Sequence, residues 1–285
     1  MKKSMFTGFS GALDKRGAAG AVGYAKALGF DGVEPYPCGA FSTIEQASEL
    51  KQILDAAGMS ASCVSYCVDL SGDGGDAAVE ELKKLAELTA ACGAPYLHHT
   101  LVPGLLAAKL GAPTFDRVFD DVVRRAGIVA DTAKTLGITC LYEDQGFLFN
   151  GADRFERFLA ALDRDNIGVC ADFGNILFAG ESPESFIGRF SDRVRHVHVK
   201  DYLYKPGSVP FPGRGWLRTR DGGYLRDTVP GHGVVDMVAC LSVLKGAGYD
   251  GFYSFEFGGP EPMEQGLRDA MENLEYYEAL AVHTL

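Results

Sequence analysis

Eight short runs rich in β-branched and aromatic residues, each followed by a segment of helical periodicity, limit this chain to an α/β architecture. The predicted strands are Met5–Phe9, Gly32–Tyr36, Ala61–Val68, Tyr96–Val102, Ile138–Glu143, Ile167–Phe173, Val194–Lys200 and Gly251–Phe257. The predicted helices are Ala18–Leu28, Ile44–Ala57, Val79–Cys92, Phe115–Leu136, Phe155–Leu162, Pro183–Phe190, Val235–Ala247 and Met263–Ala281. Glycine closes several of them, in KALGFDG, DAAGMS, KTLGIT and KGAGYDG, where a left-handed residue ends the helix before the next strand. An open doubly wound sheet uses the same alternation. Eight units favour closure, however, and no GxGxxG loop follows the first strand to hold a dinucleotide. The expectation is a single (β/α)₈ TIM barrel domain over residues 1–285, close to the roughly 250 residues typical of that fold.

Composition narrows the class of partner. Hydrophobic residues at 47% and charged residues at 23% give a packed core and a soluble surface. A formal charge of −11 argues against nucleic acid, whose binding depends on Lys and Arg neutralising phosphates. No apolar run approaches the roughly 20 residues of a membrane-spanning helix, and the basic Met1-Lys2-Lys3 start runs into polar, Gly-rich sequence, not an apolar targeting segment. The seven cysteines form no CxxC pair, which suits reduced thiols and a cytoplasmic location.

One connection is long. Residues 202–233, after the seventh predicted strand, are rich in Pro, Gly, Arg and aromatics. On a barrel this segment lies at the C-terminal rim, where active sites are built, so it is expected to act as a lid. Tyr204, Phe211, Trp216 and Tyr224 offer stacking surfaces there, and Arg214, Arg218, Arg220 and Arg226 offer contacts for an anion; Arg214 is taken as a substrate-binding candidate.

The last four strands carry the chemistry. Glu143 ends strand five (ITCLYE), Asp172 nears the end of strand six (IGVCADF), His198 nears the end of strand seven (VRHVHVK), and Glu256 precedes the glycines of strand eight (FYSFEFGG). Alternate residues of a strand share a face. His196, His198 and Lys200 therefore point one way and Val197 and Val199 the other; likewise Gly168, Cys170 and Asp172 oppose Val169 and Phe173. Neighbouring strands lie about 4.8 Å apart, so four such tips can converge on one ion. Three carboxylates and an imidazole are mostly hard donors, favouring Mn²⁺ or Mg²⁺, with Co²⁺, Fe²⁺ or Zn²⁺ also accommodated. Mn²⁺ is the expected ion. Strand-end carboxylates can instead be solvated rim groups or helix caps, but four in succession with inward parity favour the metal.

With these residues in view, the whole chain resembles the xylose-isomerase-like sugar isomerase and epimerase superfamily. The marks are GFDGVEPY, YED, ADFGN, HVHVKD, PGHGVVD and YDGFYSFE. The resemblance implies metal ligands at Glu143, Asp172, His198 and Glu256, and proton transfer by Glu143 and Glu256 on opposite faces of a ketose. Asn175 stands where many relatives place a His, three residues after the strand-six Asp. It is taken with Glu34 and His98 as a substrate-binding candidate, one of the adjacent His98 and His99 being expected to point outward. Lys200, on the face of His198, is the expected catalytic cation.

The expected chemistry is deprotonation next to the carbonyl of a sugar, giving an enediolate stabilised by the metal and a cation. Return of the proton to the same carbon is epimerisation, to its neighbour isomerisation; loss of a β-hydroxyl is dehydration. Related lyases extend to C-glycoside cleavage in 3-oxo-glycosides, in some cases with a small accessory subunit. A non-catalytic sugar-binding barrel and a three-zinc DNA-repair barrel are the alternatives, and six histidines with the negative charge disfavour the second. A homo-oligomer through helical faces is compatible with such a barrel.

Overall fold

The computed structural model describes residues 1–104 and 114–281. In chain order the elements are β1 (Lys2–Met5), α1 (Phe9–Ala27), β2 (Gly32–Val33), α2 (Ile44–Ala57), β3 (Ser60–Ala61), β4 (Val64–Tyr66), α3 (Gly75–Ala91), β5 (Tyr96–His99), α4 (Phe115–Thr135), β6 (Thr139–Glu143), α5 (Ala152–Leu162), β7 (Ile167–Asp172), a 3-10 turn (Asn175–Ala179), α6 (Pro183–Phe190), β8 (Val194–Val199), β9 (Asp201–Lys205), β10 (Leu217–Arg218), β11 (Tyr224–Thr228), α7 (Met237–Gly246), β12 (Phe252–Phe255) and α8 (Met263–Leu280). Nine parallel strands form a nearly closed barrel in the order β3-β2-β1-β12-β8-β7-β6-β5-β4. β3 and β4 are consecutive pieces of one stave. Between them the amide of Ser62 donates to Val33 O at 2.8 Å, and within β4 Ser65 N donates to Pro35 O at 3.2 Å, so this interrupted stave carries the ladder round.

Two expected boundaries move. The first strand is Lys2–Met5, not Met5–Phe9, because Phe6-Thr7-Gly8 is already the turn over the barrel mouth: Gly8 has φ 84° and Thr7 Oγ1 accepts the amide of Phe257. α1 begins at Phe9, well before the predicted Ala18. It breaks at Gly17 (φ 67°, ψ 173°), and its first half buries Phe9, Ala12 and Leu13.

The core divides by strand parity. Val169, Ala171, Val197 and Val199 face the helices in the main apolar cluster, whereas Cys63, Leu141 and Cys170 form a small separate cluster inside the barrel. Burying an aliphatic side chain is worth about 1.5–3 kcal/mol, so the outer layer supplies most of the stability and the inner layer is free to carry polar groups.

The segment expected as an irregular lid is largely ordered. β10, β11 and β9 form a three-stranded antiparallel sheet, with Tyr224 paired to Lys205 and Thr228 to Asp201. Phe147, Phe178, Tyr202 and Leu225 pack as a satellite cluster that fastens this sheet to the barrel. Arg220 Nη2 adds hydrogen bonds to the carbonyls of Phe147 and Asn150. Among the described residues, no helix is long and apolar enough to cross a membrane.

Candidate metal centre

The ladder brings the four strand tips together. Asp172 is paired with His198 across β7 and β8, Ser254 with His198 across β12 and β8, and Glu143 with Cys170 across β6 and β7. Glu143, Asp172, His198 and Glu256 each place a donor atom within 4.8 Å of the others. His198 Nδ1 lies 2.7 Å from Glu143 Oε1 and 3.2 Å from Glu256 Oε2.

Local structure aims each group. Asp172 Oδ1 accepts the amides of Gly174 and Asn175, both at 2.7 Å, which caps the following 3-10 turn and fixes the carboxylate plane. Its Oδ2 is buried and has no protein partner. Burial, reinforced by Glu143 and Glu256 and opposed by Lys200, pushes the Asp172 carboxyl well above the usual range. A buried oxygen without a partner, aimed into a cluster of like charges, calls for a cation, and the donor set of three carboxylates and one imidazole fits a divalent one.

The surrounding shell orders these donors. Glu34, a substrate-binding candidate on sequence, directly follows β2, is completely buried and lies behind His198. Its Oε1 faces His198 Nε2 at 2.9 Å and its Oε2 faces His196 Nε2 at 2.7 Å. That contact turns His198 Nδ1 toward the other carboxylates, as an outer carboxylate does for a metal-bound histidine. Phe6 stacks on the His198 ring with centroids 5.2 Å apart.

Lys200 donates to Glu256 Oε1. Burial opposes its charge, but Glu256, Tyr202 and Asp172 outweigh burial and hold the ammonium well above its usual range. Glu256 is held below the usual carboxylate range: burial works against its charge, and Lys200 and His198 prevail.

The two histidines of β5 separate. His98 turns inward, with Nδ1 2.8 Å from Ser65 Oγ and its ring edge-on to His198. His99 turns outward against Tyr142, and its Nδ1 lies 3.0 Å from Thr100 O. Burial draws the His99 imidazole down to about 4.

Asn175 is buried beside the cluster; its Oδ1 accepts from the Tyr202 hydroxyl at 3.0 Å and its Nδ2 has no protein partner. Arg214 is not brought to the site. It is exposed in the turn before β10 and is not among the residues lining the cavity over Glu143, His198 and Glu256. That cavity, about 170 Å³, is lined by Phe6, Tyr36, Tyr66, His98, Gln145 and Cys67 together with Ser65, Thr100, Glu143, His198 and Glu256. A larger groove of about 440 Å³ between the start of α6 and the outer sheet contains none of the four.

Several contributors went unnamed in the sequence. Ser65 and Phe6 have no motif of their own. Asp144, completely buried, accepts the amide of Asp172 at 3.2 Å, and burial followed by Asp172 and Glu143 pushes its carboxyl well above the usual range. Asp201 accepts the amides of Gly231, Gly233 and Val235, which explains the glycines of PGHGVVD: a Cβ at Gly233 would lie 2.1 Å from Asp201 Oδ1. Asp201 has the signal of following HVHVK directly.

Comparison with known proteins fits this geometry. The family model for xylose isomerase-like TIM barrels matches residues 22–277. The chain belongs to that family. Inosose dehydratase of Geobacillus thermodenitrificans is 24% identical over 216 residues, covering 73% of this chain and 72% of that protein. The inosose dehydratase of Lacticaseibacillus casei is matched over 51% of its length. Among solved structures, the IolI protein with a bound zinc atom superposes at a TM-score of 0.75, 16% identity and full coverage of both chains. L-Ribulose 3-epimerase superposes at 0.75 and 20% identity, over 99% of this chain and 96% of that one. These two likenesses are of fold.

Proposed function

We propose that this family member is a divalent-metal-dependent isomerase or epimerase that moves a proton on the carbon beside a carbonyl in a sugar or sugar-derived ketone. The observation that carries the reading is the approach of two carboxylates, Glu143 and Glu256, to one imidazole nitrogen at 2.7 and 3.2 Å, beneath a small cavity. Glu143, Asp172, His198 and Glu256 are the residues that would hold the ion, with Mn²⁺ the proposed occupant. The IolI structure contains zinc and a Mycobacterium smegmatis barrel of this fold contains magnesium. When bound, a divalent ion supplies Lewis-acid polarisation of the carbonyl and positive charge for the enediolate.

The chain's own groups do the rest. Glu143 takes the proton from carbon onto its carboxylate. Lys200, whose charge is sustained by Glu256 and Asp172, donates to the oxygen that gains charge. Glu256, held ionised between Lys200 and His198, takes a proton from the Lys200 ammonium and delivers it to carbon from the other side of the cavity, and the proton left on Glu143 is released to solvent, from which Lys200 is reprotonated. Delivery to the same carbon inverts it; delivery to the neighbouring carbon exchanges aldose for ketose. Phe6, Tyr36 and Tyr66 wall the cavity, exclude water and stack on the apolar face of a sugar ring. At about 170 Å³ the space falls below the roughly 300 Å³ of drug-sized sites, which matches a small substrate.

The inosose dehydratases among the relatives favour a second reading, in which the same enediolate expels a β-hydroxyl. One experiment separates the two. Protein loaded with Mn²⁺ is incubated in D₂O with ketoses, aldoses and inososes, and the recovered sugars are examined by NMR. Deuterium at a single carbon with all hydroxyls kept supports isomerisation or epimerisation; loss of water supports the lyase; no exchange with any of them removes the proton-transfer reading.

A further inference from the structure

Glu34 meets three polar neighbours, and their hydrogens can be counted. Its Oε2 lies 2.7 Å from His196 Nε2, and its Oε1 is shared by His198 Nε2 at 2.9 Å and the Ser65 hydroxyl. A carboxylate accepts and does not donate, so all three neighbours donate to it. Ser65 has one hydroxyl proton. With that proton directed at Glu34, its oxygen is left to accept from His98 Nδ1, 2.8 Å away and its direct partner in the β4–β5 ladder.

The ring proton of His98 therefore sits on Nδ1, and Nε2 keeps a bare lone pair. That nitrogen is buried, has no hydrogen-bond partner, and stands 3.7 Å from Glu143 Oε2, outside hydrogen-bond range. His98 lines the cavity over Glu143, His198 and Glu256. The same count has His198 donating from Nε2 to Glu34, which leaves Nδ1 as the nitrogen offered to an ion; when no ion is bound, Nδ1 donates to Glu143 Oε1 at 2.7 Å. One carboxylate thus orients two histidines, His198 directly and His98 through Ser65.

We propose that Glu34 and Ser65 are positioning residues that lock His98 with its Nε2 lone pair facing the cavity, where it accepts a hydrogen bond from a substrate hydroxyl next to the carbon addressed by Glu143. The inference rests on the proton-transfer reading and adds a demand on the substrate: a free hydroxyl at that position. A deoxy or O-methyl analogue leaves the lone pair buried and unmet, the kind of mismatch that hydrogen-bonding sites reject strongly.

The tautomers are readable without substrate. Protein labelled with ¹⁵N-histidine is compared metal-free and loaded with diamagnetic Zn²⁺, using two-bond ¹H–¹⁵N correlation spectra. His98 is expected to show a protonated Nδ1 and an unprotonated Nε2 in both states. In Ser65→Ala the two nitrogens should move toward the averaged shifts of an unfixed ring, while Zn²⁺ affinity, measured against a chelator, stays within about twofold. Glu34→Gln should weaken Zn²⁺ by roughly 10–100-fold, the usual cost of losing an outer partner of a ligating histidine. The proposal is overturned if wild-type His98 carries its proton on Nε2, if Ser65→Ala leaves the His98 pattern intact, or if Ser65→Ala weakens Zn²⁺ as much as Glu34→Gln. Should wild type bind neither Zn²⁺ nor Mn²⁺, the metal reading fails by itself, and the metal-free spectrum still decides the tautomer.

Discussion

The strand tips and the outer sheet both sit at the C-terminal face of the barrel, yet they differ in how their side chains are aimed. On β6, β7 and β8, and just past β12, Glu143, Asp172, His198 and Glu256 inherit direction from the pleat and level from the ladder, and their donor atoms fall within 4.8 Å of one another. On the outer sheet β9–β11 direction depends on turns: Arg214 and Phe211 are exposed, and Arg220 bends back to bond the carbonyls of Phe147 and Asn150. Side chains on a rigid barrel are positioned by the fold as a whole; those on the added sheet are positioned by local packing.

The comparison can be broken most forcefully at Glu143. Glu143→Gln keeps the shape but removes the proton acceptor, and deuterium exchange into substrate should fall by roughly 10²–10⁴-fold with the fold intact by circular dichroism. A loss of less than tenfold would remove Glu143 from the proton path.

The outward face of the same strands gives a pH test. The folded-state pKa of His99 is lowered from about 6.5 to about 4, so its neutral form stabilises the fold above the unfolded value, and that contribution is lost as pH falls from about 6.5 toward 4. At roughly 1.4 kcal/mol per pH unit the loss amounts to about 3 kcal/mol. In urea titrations at pH 7 and pH 4, His99→Gln should lose less stability on acidification than wild type; an equal loss would relocate the acid sensitivity.

On the outer sheet the effects shrink. Arg220→Ala should cost about 1 kcal/mol, since both its hydrogen bonds lie at a partly exposed edge, and should raise proteolysis within residues 206–222. Arg214→Ala should change stability and turnover by less than about twofold, as expected of an exposed side chain outside the cavity. A tenfold rise in KM from Arg214→Ala would bring this sheet into substrate binding and erase the contrast.

What was legible in the sequence follows the same division. Period-two alternation orients Asp172 and His198, and the order of strands brings Glu143 and Glu256 to them, so the four donors could be named from residue types and spacing. Glu34 could not be placed by that logic. β1 and β12 separate β2 from β8 in the ladder, and Glu34 reaches His196 and His198 across the barrel interior, a distance set by closure and not by sequence neighbours. Ser65 depends on the β4–β5 register and the outward His99 on parity within β5, which two adjacent histidines leave open. The first half of α1 was missed because Gly17 interrupts its periodicity. The outer sheet was missed because Pro and Gly between β9 and β10 mask two short strands.

Asp201 binds the amides of residues 231, 233 and 235 while standing at the start of β9. It thereby staples together the two feet of everything in between, and the barrel meets that excursion through this buried carboxylate, a small aromatic patch and a few hydrogen bonds, among them those of Arg220 and the one Asp227 accepts from the amide of Gly258. The excursion is thus a detachable cassette: its length and composition can drift, or be exchanged by design, with the staves beneath keeping their register.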